Sequence, residues 1–279
     1  MKEDKVTIPL LHKMKKESQK ITMLTAYDYP FALLIDKCGI EIILVGDSVG
    51  NVVLGYESTV GVTMDEMIHH TKAVRRAVKR AFLIGDMPFM SYNISIQEAV
   101  RNAGRFMKES GCDAVKLEGG LDVCDTASAI VKAGIPVLGH IGLTPQTVSK
   151  LGGYKVQGRL AKEAERLIDS AVELEKAGCF AIVLECLPEE LARIITKKLS
   201  IPTIGIGAGL YCDGQVLVIH DLLGITTGFR PKFVKNYANL SDEISQAINN
   251  FKEDVKQNRF PARDYVFHMK EEELKKIKR

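Results

Sequence analysis

Eight short apolar runs recur along this chain, at 21–27, 40–46, 81–86, 113–118, 135–140, 179–185, 201–206 and 215–219. Runs this short and this apolar read as strands buried on both faces, the pattern of a parallel sheet covered by helices. Between them lie stretches with helical spacing, among them 64–79, 96–110, 123–133, 161–177 and 188–199. Thr63 and Ser95 sit where N-caps belong, and Gly39, Gly111, Gly134 and Gly178 each follow a helical stretch. Ile135-Pro136 and Ile201-Pro202 suit the first residues of strands, where no ladder donor is needed. Eight β/α alternations in one chain predict an α/β fold, a closed (β/α)8 TIM barrel rather than an open sheet. A last helix at 242–257 is expected to cover the final strand. The expected organisation is one barrel domain over 1–258 with its N-terminal segment, then a basic C-terminal appendage over 259–279.

Composition agrees with one barrel. The chain has 279 residues, against about 250 for this architecture. Its net charge of +3 resides at the ends: residues 1–20 carry six Lys against three acids, and 270–279 carry five Lys or Arg against three Glu. Those ends contribute +3 and +2, so the body is at −2. Lysine-rich solvated ends are expected, with no nucleic-acid partner. The six cysteines, at 38, 112, 124, 179, 186 and 212, show no metal-ligand spacing and read as free, mostly buried thiols of a reducing compartment. No apolar stretch approaches the roughly 18–20 residues of a membrane span. A soluble cytoplasmic protein without a membrane partner is the expectation.

Four of the runs end on ionisable residues: Asp47, Asp86, the pair Lys116 and Glu118, and Glu185. In a parallel barrel the carboxyl ends of the strands converge on one mouth, where active sites are built. Side chains alternate along a strand, so Lys116 and Glu118 share a face, as do Glu185, Val183 and Ala181, and likewise Asp47, Val45 and Ile43. Asp47, Asp86 and Glu118 offer oxygen ligands alone, which suits Mg²⁺ better than Zn²⁺. Mg²⁺ keeps positions for substrate oxygens, and a 2-oxo acid fits two of them. Lys116 would supply a second positive charge, and Glu185 would be the base. The competing explanation is that these acids form salt bridges around the rim.

Other residues leave alternatives open. His140 suits either polarisation of a substrate oxygen or a bond to a backbone carbonyl. Ser48 suits a substrate carboxylate, an N-cap or a turn equally. Gly205-Ile206-Gly207-Ala208-Gly209 suits an anion site or a tight turn. His69-His70 reads as packing or solvated.

These strings occur within longer ones that resemble the ketopantoate hydroxymethyltransferase (3-methyl-2-oxobutanoate hydroxymethyltransferase) family. They include 25–29 (TAYDY), 45–48 (VGDS), 86–90 (DMPFM), 115–120 (VKLEGG), 139–146 (GHIGLTPQ), 152–159 (GGYKVQGR), 184–186 (LEC), 213–215 (DGQ) and His220-Asp221. The likeness runs from about residue 7 to 260. It implies a barrel of the phosphoenolpyruvate-binding kind. It also implies transfer of a hydroxymethyl group from 5,10-methylenetetrahydrofolate to 3-methyl-2-oxobutanoate, giving 2-dehydropantoate for coenzyme A synthesis. The family's Mg²⁺ and substrate positions fall on Asp47, Ser48, Asp86, Lys116 and Glu118, and its proton acceptor on Glu185. The family's members form homo-oligomers, which is the expectation here. A metal-enolate C–C lyase or mutase of the same superfamily, acting without folate, is the alternative. The C-terminus departs from the pattern: Pro261 is followed by Tyr265-Val266-Phe267-His268 and a charged tail.

Overall fold

All eight expected strands form, and they pair in chain order until β8 closes back on β1 in a parallel barrel. They are β1 (Ile21–Thr25), β2 (Ile42–Val45), β3 (Phe82–Asp86), β4 (Ala114–Glu118), β5 (Val137–Gly142), β6 (Ala181–Glu185), β7 (Thr203–Ile206) and β8 (Gly214–Leu217). This computed structural model describes residues 4–151, 153–226 and 231–277. Gly152 of the 152–159 string and the last two residues of the basic tail therefore lie outside the described residues. Among the described residues no helix is long and apolar enough to cross a membrane.

The helices are α1 (Ile8–Lys16), α2 (Tyr29–Lys37), α3 (Val49–Val52), α4 (Met64–Ala77), α5 (Ile96–Arg105), α6 (Cys124–Lys132), α7 (Val148–Leu151), α8 (Ala161–Lys176), α9 (Glu189–Lys198), α10 (Ile219–Leu222), α11 (Leu240–Lys256) and α12 (Glu271–Leu274). Both predicted caps form. Thr63 and Glu66 make a reciprocal capping box at α4, and the Ser95 side chain accepts from Glu98 N–H at α5. Pro136 and Pro202 stand just before β5 and β7 and still accept ladder bonds through their carbonyls, from Val115 and Ile182.

Strand alternation builds two cores. Ile42, Leu44, Phe82, Ile84, Leu138 and Val183 fill the barrel, whereas Ile43, Val45, Leu83, Val115, Leu117 and Leu184 face the helices. The N-terminal segment is not the solvated end its lysines suggest. Leu11 and Met14 of α1 belong to the inner core and close the barrel floor. Lys5 and Lys15 turn to Asp113 and Asp213. The expected cover for β8 is also corrected: no residue of α11 is buried, and Ile244, Ile248, Phe251 and Val255 are exposed. The six cysteines are free, but only Cys112, Cys179 and Cys212 are buried.

Candidate active site

Strand register assembles the ionisable residues. Asp86 at the end of β3 is paired with Lys116, Glu118 with His140, and Gly142 with Glu185. Lys116 and Glu118 follow inward-facing Ala114, and Glu185 follows inward-facing Val183 and Ala181, so alternation carries them into the mouth. Asp47 arrives by another route. Ile43 and Val45, with which it was expected to share a face, point to the helices. Asp47 lies beyond the end of β2, and the turn through Gly46 rather than strand alternation brings it inward.

The result is one buried cluster. Lys116 Nζ donates to both oxygens of Asp86, at 2.8 and 2.9 Å, and to Glu118 Oε1 at 3.1 Å. The Asp47 backbone N–H donates to Asp86 Oδ2 at 3.1 Å. His140 stands between two carboxylates, with Nδ1 3.2 Å from Glu118 Oε1 and Nε2 3.2 Å from Glu185 Oε2. Both contacts are at ion-pair distance but outside good hydrogen-bond geometry. Glycine is required where β5 meets β6: Gly142 has φ +102°, and a Cβ there would fall 2.2 Å from the Glu185 carbonyl oxygen.

Burial and crowding shape the charges. Burial, then the charges of Asp86 and Glu118, push the Asp47 carboxyl up to about 8. Burial also raises Asp86. For Lys116 burial opposes the charge, but Asp86, Glu118 and Asp47 outweigh it and hold the ammonium well above its ordinary value. Glu118 is likewise buried, yet Lys116 and His140 bring it down to about 2. His140 resists burial through Glu118 and rises to about 9, an imidazolium at neutral pH. Were Asp47 to give up its proton, leaving all four carboxylates ionised, the cluster would have two cations against four anions. The excess matches one divalent cation.

Ser48 does not cap α3; its hydroxyl shares a 2.8 Å hydrogen bond with the Tyr27 hydroxyl beside Asp47. His140 turns both ring nitrogens to carboxylates rather than to a backbone carbonyl, the second of the two readings its place in the sequence offered. His70 packs through Nδ1 on the Tyr27 carbonyl at 2.7 Å. In the glycine-rich turn, Cβ atoms at Gly207 and Gly209 would meet Phe233 at 2.7 Å and Glu189 at 2.4 Å, so packing alone accounts for both glycines. Two residues in the cluster had no expected role. Gln146 donates to Asp47 Oδ2 at 2.9 Å, and Tyr92 donates to Gln146 Oε1 at 2.6 Å. A lone Gln after Thr144-Pro145, at the end of a strand bearing His140, was the one available signal. A cavity of about 280 Å³ opens beside Glu118, between the 119–123 turn and α8.

Among the described residues no three Asp, Glu, His or Cys side chains form a ready-made metal cage. Mg²⁺ does not need one, since it usually takes one or two carboxylates and completes its shell with water and substrate oxygens. The donor chemistry fits: oxygen ligands, an Asp47 carboxyl crowded enough by Asp86 and Glu118 to keep its proton until a cation replaces it, and an Asp47 Oδ1 that accepts no hydrogen bond among the described residues.

A closed parallel barrel whose mouth gathers buried acids, a lysine and an imidazolium is the framework of a (β/α)8 enzyme. Residues 5–263 match the family described as ketopantoate hydroxymethyltransferase, and the chain belongs to that family. Similar curated proteins are 3-methyl-2-oxobutanoate hydroxymethyltransferases. That of Syntrophomonas wolfei is 58% identical over 98% of this chain and 99% of its own length. That of Moorella thermoacetica is 58% identical over 94% and 98%. Among solved structures, phosphonopyruvate hydrolase superposes with TM-score 0.61 at 12% identity, covering 96% of this chain and 93% of that one. A 2,3-dimethylmalate lyase of the PEP mutase/isocitrate lyase superfamily superposes with TM-score 0.56 at 14% identity, over 96% and 93%. At these identities the two likenesses show the shared barrel fold alone.

Proposed function

We propose that this chain transfers a hydroxymethyl group from 5,10-methylenetetrahydrofolate to 3-methyl-2-oxobutanoate, giving 2-dehydropantoate in pantothenate biosynthesis. The observation that carries the reading is the single buried cluster of Asp47, Asp86, Lys116, Glu118, His140 and Glu185, in a chain that belongs to this family along nearly its whole length. Asp47, Asp86 and Glu118 would hold Mg²⁺, which when bound supplies positive charge beside the keto and carboxylate oxygens of the oxo acid. Ser48 and Lys116 orient the substrate carboxylate, the lysine adding a positive charge that Asp86 keeps in place. Glu185 has the more open of the carboxylate positions, with 16% of its side chain exposed, and takes the C3 proton. His140 stays charged and holds Glu185 toward the mouth, a supporting role in place of direct substrate polarisation. The carbanionic carbon then bonds to the folate-borne methylene carbon, whose two carbon–nitrogen bonds to the folate are replaced by this carbon–carbon bond and by a carbon–oxygen bond to water. Overall, one water is consumed and tetrahydrofolate leaves. The cavity beside Glu118 gives room for part of a large co-substrate. Self-association is part of the reading, because α11 presents Ile244, Ile248, Phe251 and Val255 along one uncovered stripe.

Proton NMR of 3-methyl-2-oxobutanoate in D₂O tests this directly. Loss of the C3 proton signal that needs both enzyme and Mg²⁺, with 2-dehydropantoate formed only when the folate is added, is the expected result. No exchange and no product from folded, metal-supplied protein would overturn it, and folate-independent cleavage would point to the lyase chemistry.

A further inference from the structure

Asp47 follows β2 and Glu118 ends β4, with β3 between these strands, so no ladder contact fixes one against the other. Gln146 does. Its Nε2 donates to Asp47 Oδ2 at 2.9 Å and to the Met87 carbonyl at 3.0 Å. Its Oε1 accepts from Tyr92 at 2.6 Å, and its backbone N–H donates to Glu118 Oε2 at 3.2 Å. Tyr92 in turn accepts from the Glu118 backbone N–H at 3.2 Å. The side chain is 2% exposed, and both amide hydrogens and the carbonyl are used. Among the described residues Gln146 is the one hydrogen-bond donor to the Asp47 carboxylate.

We infer that Gln146 is a positioning residue that sets the affinity of the site for its divalent cation. It does so by locking the outer two of the three acids, Asp47 and Glu118. The inference rests on the reading of Asp47, Asp86 and Glu118 as the metal-holding set. By engaging Oδ2, Gln146 leaves Oδ1 of Asp47 for a cation. Without it the carboxylate is free to turn, and part of the binding energy is lost to ordering it. A neutral amide is the group the place demands. A lysine would compete with the cation, and a glutamate would add a fifth carboxylate to a cluster already rich in them. Tyr92 acts one step further out by orienting the amide.

The test is titration of Mg²⁺ and Mn²⁺ into the full chain by calorimetry, beside the Mg²⁺ dependence of turnover. Gln146→Met and Gln146→Glu should each raise the metal Kd about 10–100-fold. Turnover at saturating metal should return to within about threefold of the unaltered protein, because the catalytic groups remain. Tyr92→Phe should raise Kd less, and should add little to Gln146→Met, since both act through one carboxylate. A purely structural Gln146 would behave otherwise: melting temperature in chelator would fall, Kd would stay put, and saturating metal would rescue nothing. Should Gln146→Met fail to fold, Gln146→Glu and Tyr92→Phe still decide. Kd values within twofold of the unaltered protein in the folded variants, alongside a clear loss in Asp86→Ala, overturn this inference alone. If the unaltered protein and Asp86→Ala bind metal equally weakly, the metal assignment falls and this inference falls with it.

Discussion

Acids stand at both ends of the barrel, and the two ends treat them differently. At the floor, Asp113 Oδ2 accepts from Lys5 Nζ at 2.6 Å and Leu83 N–H at 2.8 Å, with Arg75 3.7 Å away. Asp213 Oδ2 accepts from Lys15 Nζ at 2.7 Å and Thr203 N–H at 2.8 Å. Each floor acid has its own cation and a strand-end amide, and each remains partly solvated. At the mouth, Asp47, Asp86 and Glu118 crowd around one lysine in nearly complete burial. The residue types are the same. Pairing separates a structural rim from a reactive site: each floor acid has its own cation, whereas three mouth acids share one lysine and crowding raises the Asp47 carboxyl.

The sharpest way to break that contrast is at Glu185. Glu185→Gln should lower turnover by about 10²–10⁴-fold while the oxo acid still binds, as judged by steady-state rates beside calorimetry. Turnover within threefold of the unaltered protein removes Glu185 as the base. The matching change at the floor, Asp213→Ala, should cost about 2–3 kcal/mol of stability, because a charged acceptor serving Lys15 and Thr203 is lost. Its turnover should hold within twofold once folded; denaturant melts and rates together check this. A collapse of activity at unchanged stability would erase the distinction between the ends.

A subtler effect follows from Asp47. Its carboxyl is raised from 3.8 to about 8 in the folded protein, so between those values the folded state holds a proton the unfolded state has released. Metal-free stability on this account is greatest below pH 4 and falls as pH rises toward 8. Asp47→Asn should therefore stabilise the chelator-treated protein at pH 8 relative to pH 5. Even a quarter of the shift corresponds to about 1.4 kcal/mol. Thermal melts at the two pH values decide, and equal differences at both would remove the crowding argument.

Much of this was legible in the chain, for reasons specific to each element. The strands were readable because burial on both faces makes their apolar runs nearly continuous. Lys116, Glu118 and Glu185 were readable because alternation continues to the strand end. Asp47 was misassigned to a face because alternation stops at Val45. The plug α1 was hidden by Lys13, Lys15 and Lys16, which mask a short buried stripe at Leu11 and Met14. For α11 the helix itself was legible but not what it meets: it leaves β8 uncovered. The contacts of Gln146 and His140 depend on which strands become neighbours and at what register, information that no local pattern holds.

The smallest expected effect is the most discriminating about the floor. Lys5 Nζ reaches Asp113 at 2.6 Å and the Ala81 carbonyl at 2.6 Å, but its side chain is 35% exposed. Lys5→Met would leave Asp113 with Leu83 N–H and the nearby Arg75, and would remove one donor from the Ala81 carbonyl. Exposed pairs contribute about 0–1 kcal/mol, and salt screens them further. Lys5→Met should therefore shift the denaturant midpoint only slightly, and less still at 1 M salt, where the Debye length is about 3 Å. The same exchange at Lys116 strips from three buried acids the one lysine they share among the described residues, so its effect should be far larger and nearly independent of salt. If Lys5→Met instead matched Lys116→Met, the floor pair would be as dependent on its cation as the mouth is. One dedicated cation for each acid in a partly solvated place would then not be what separates the two ends.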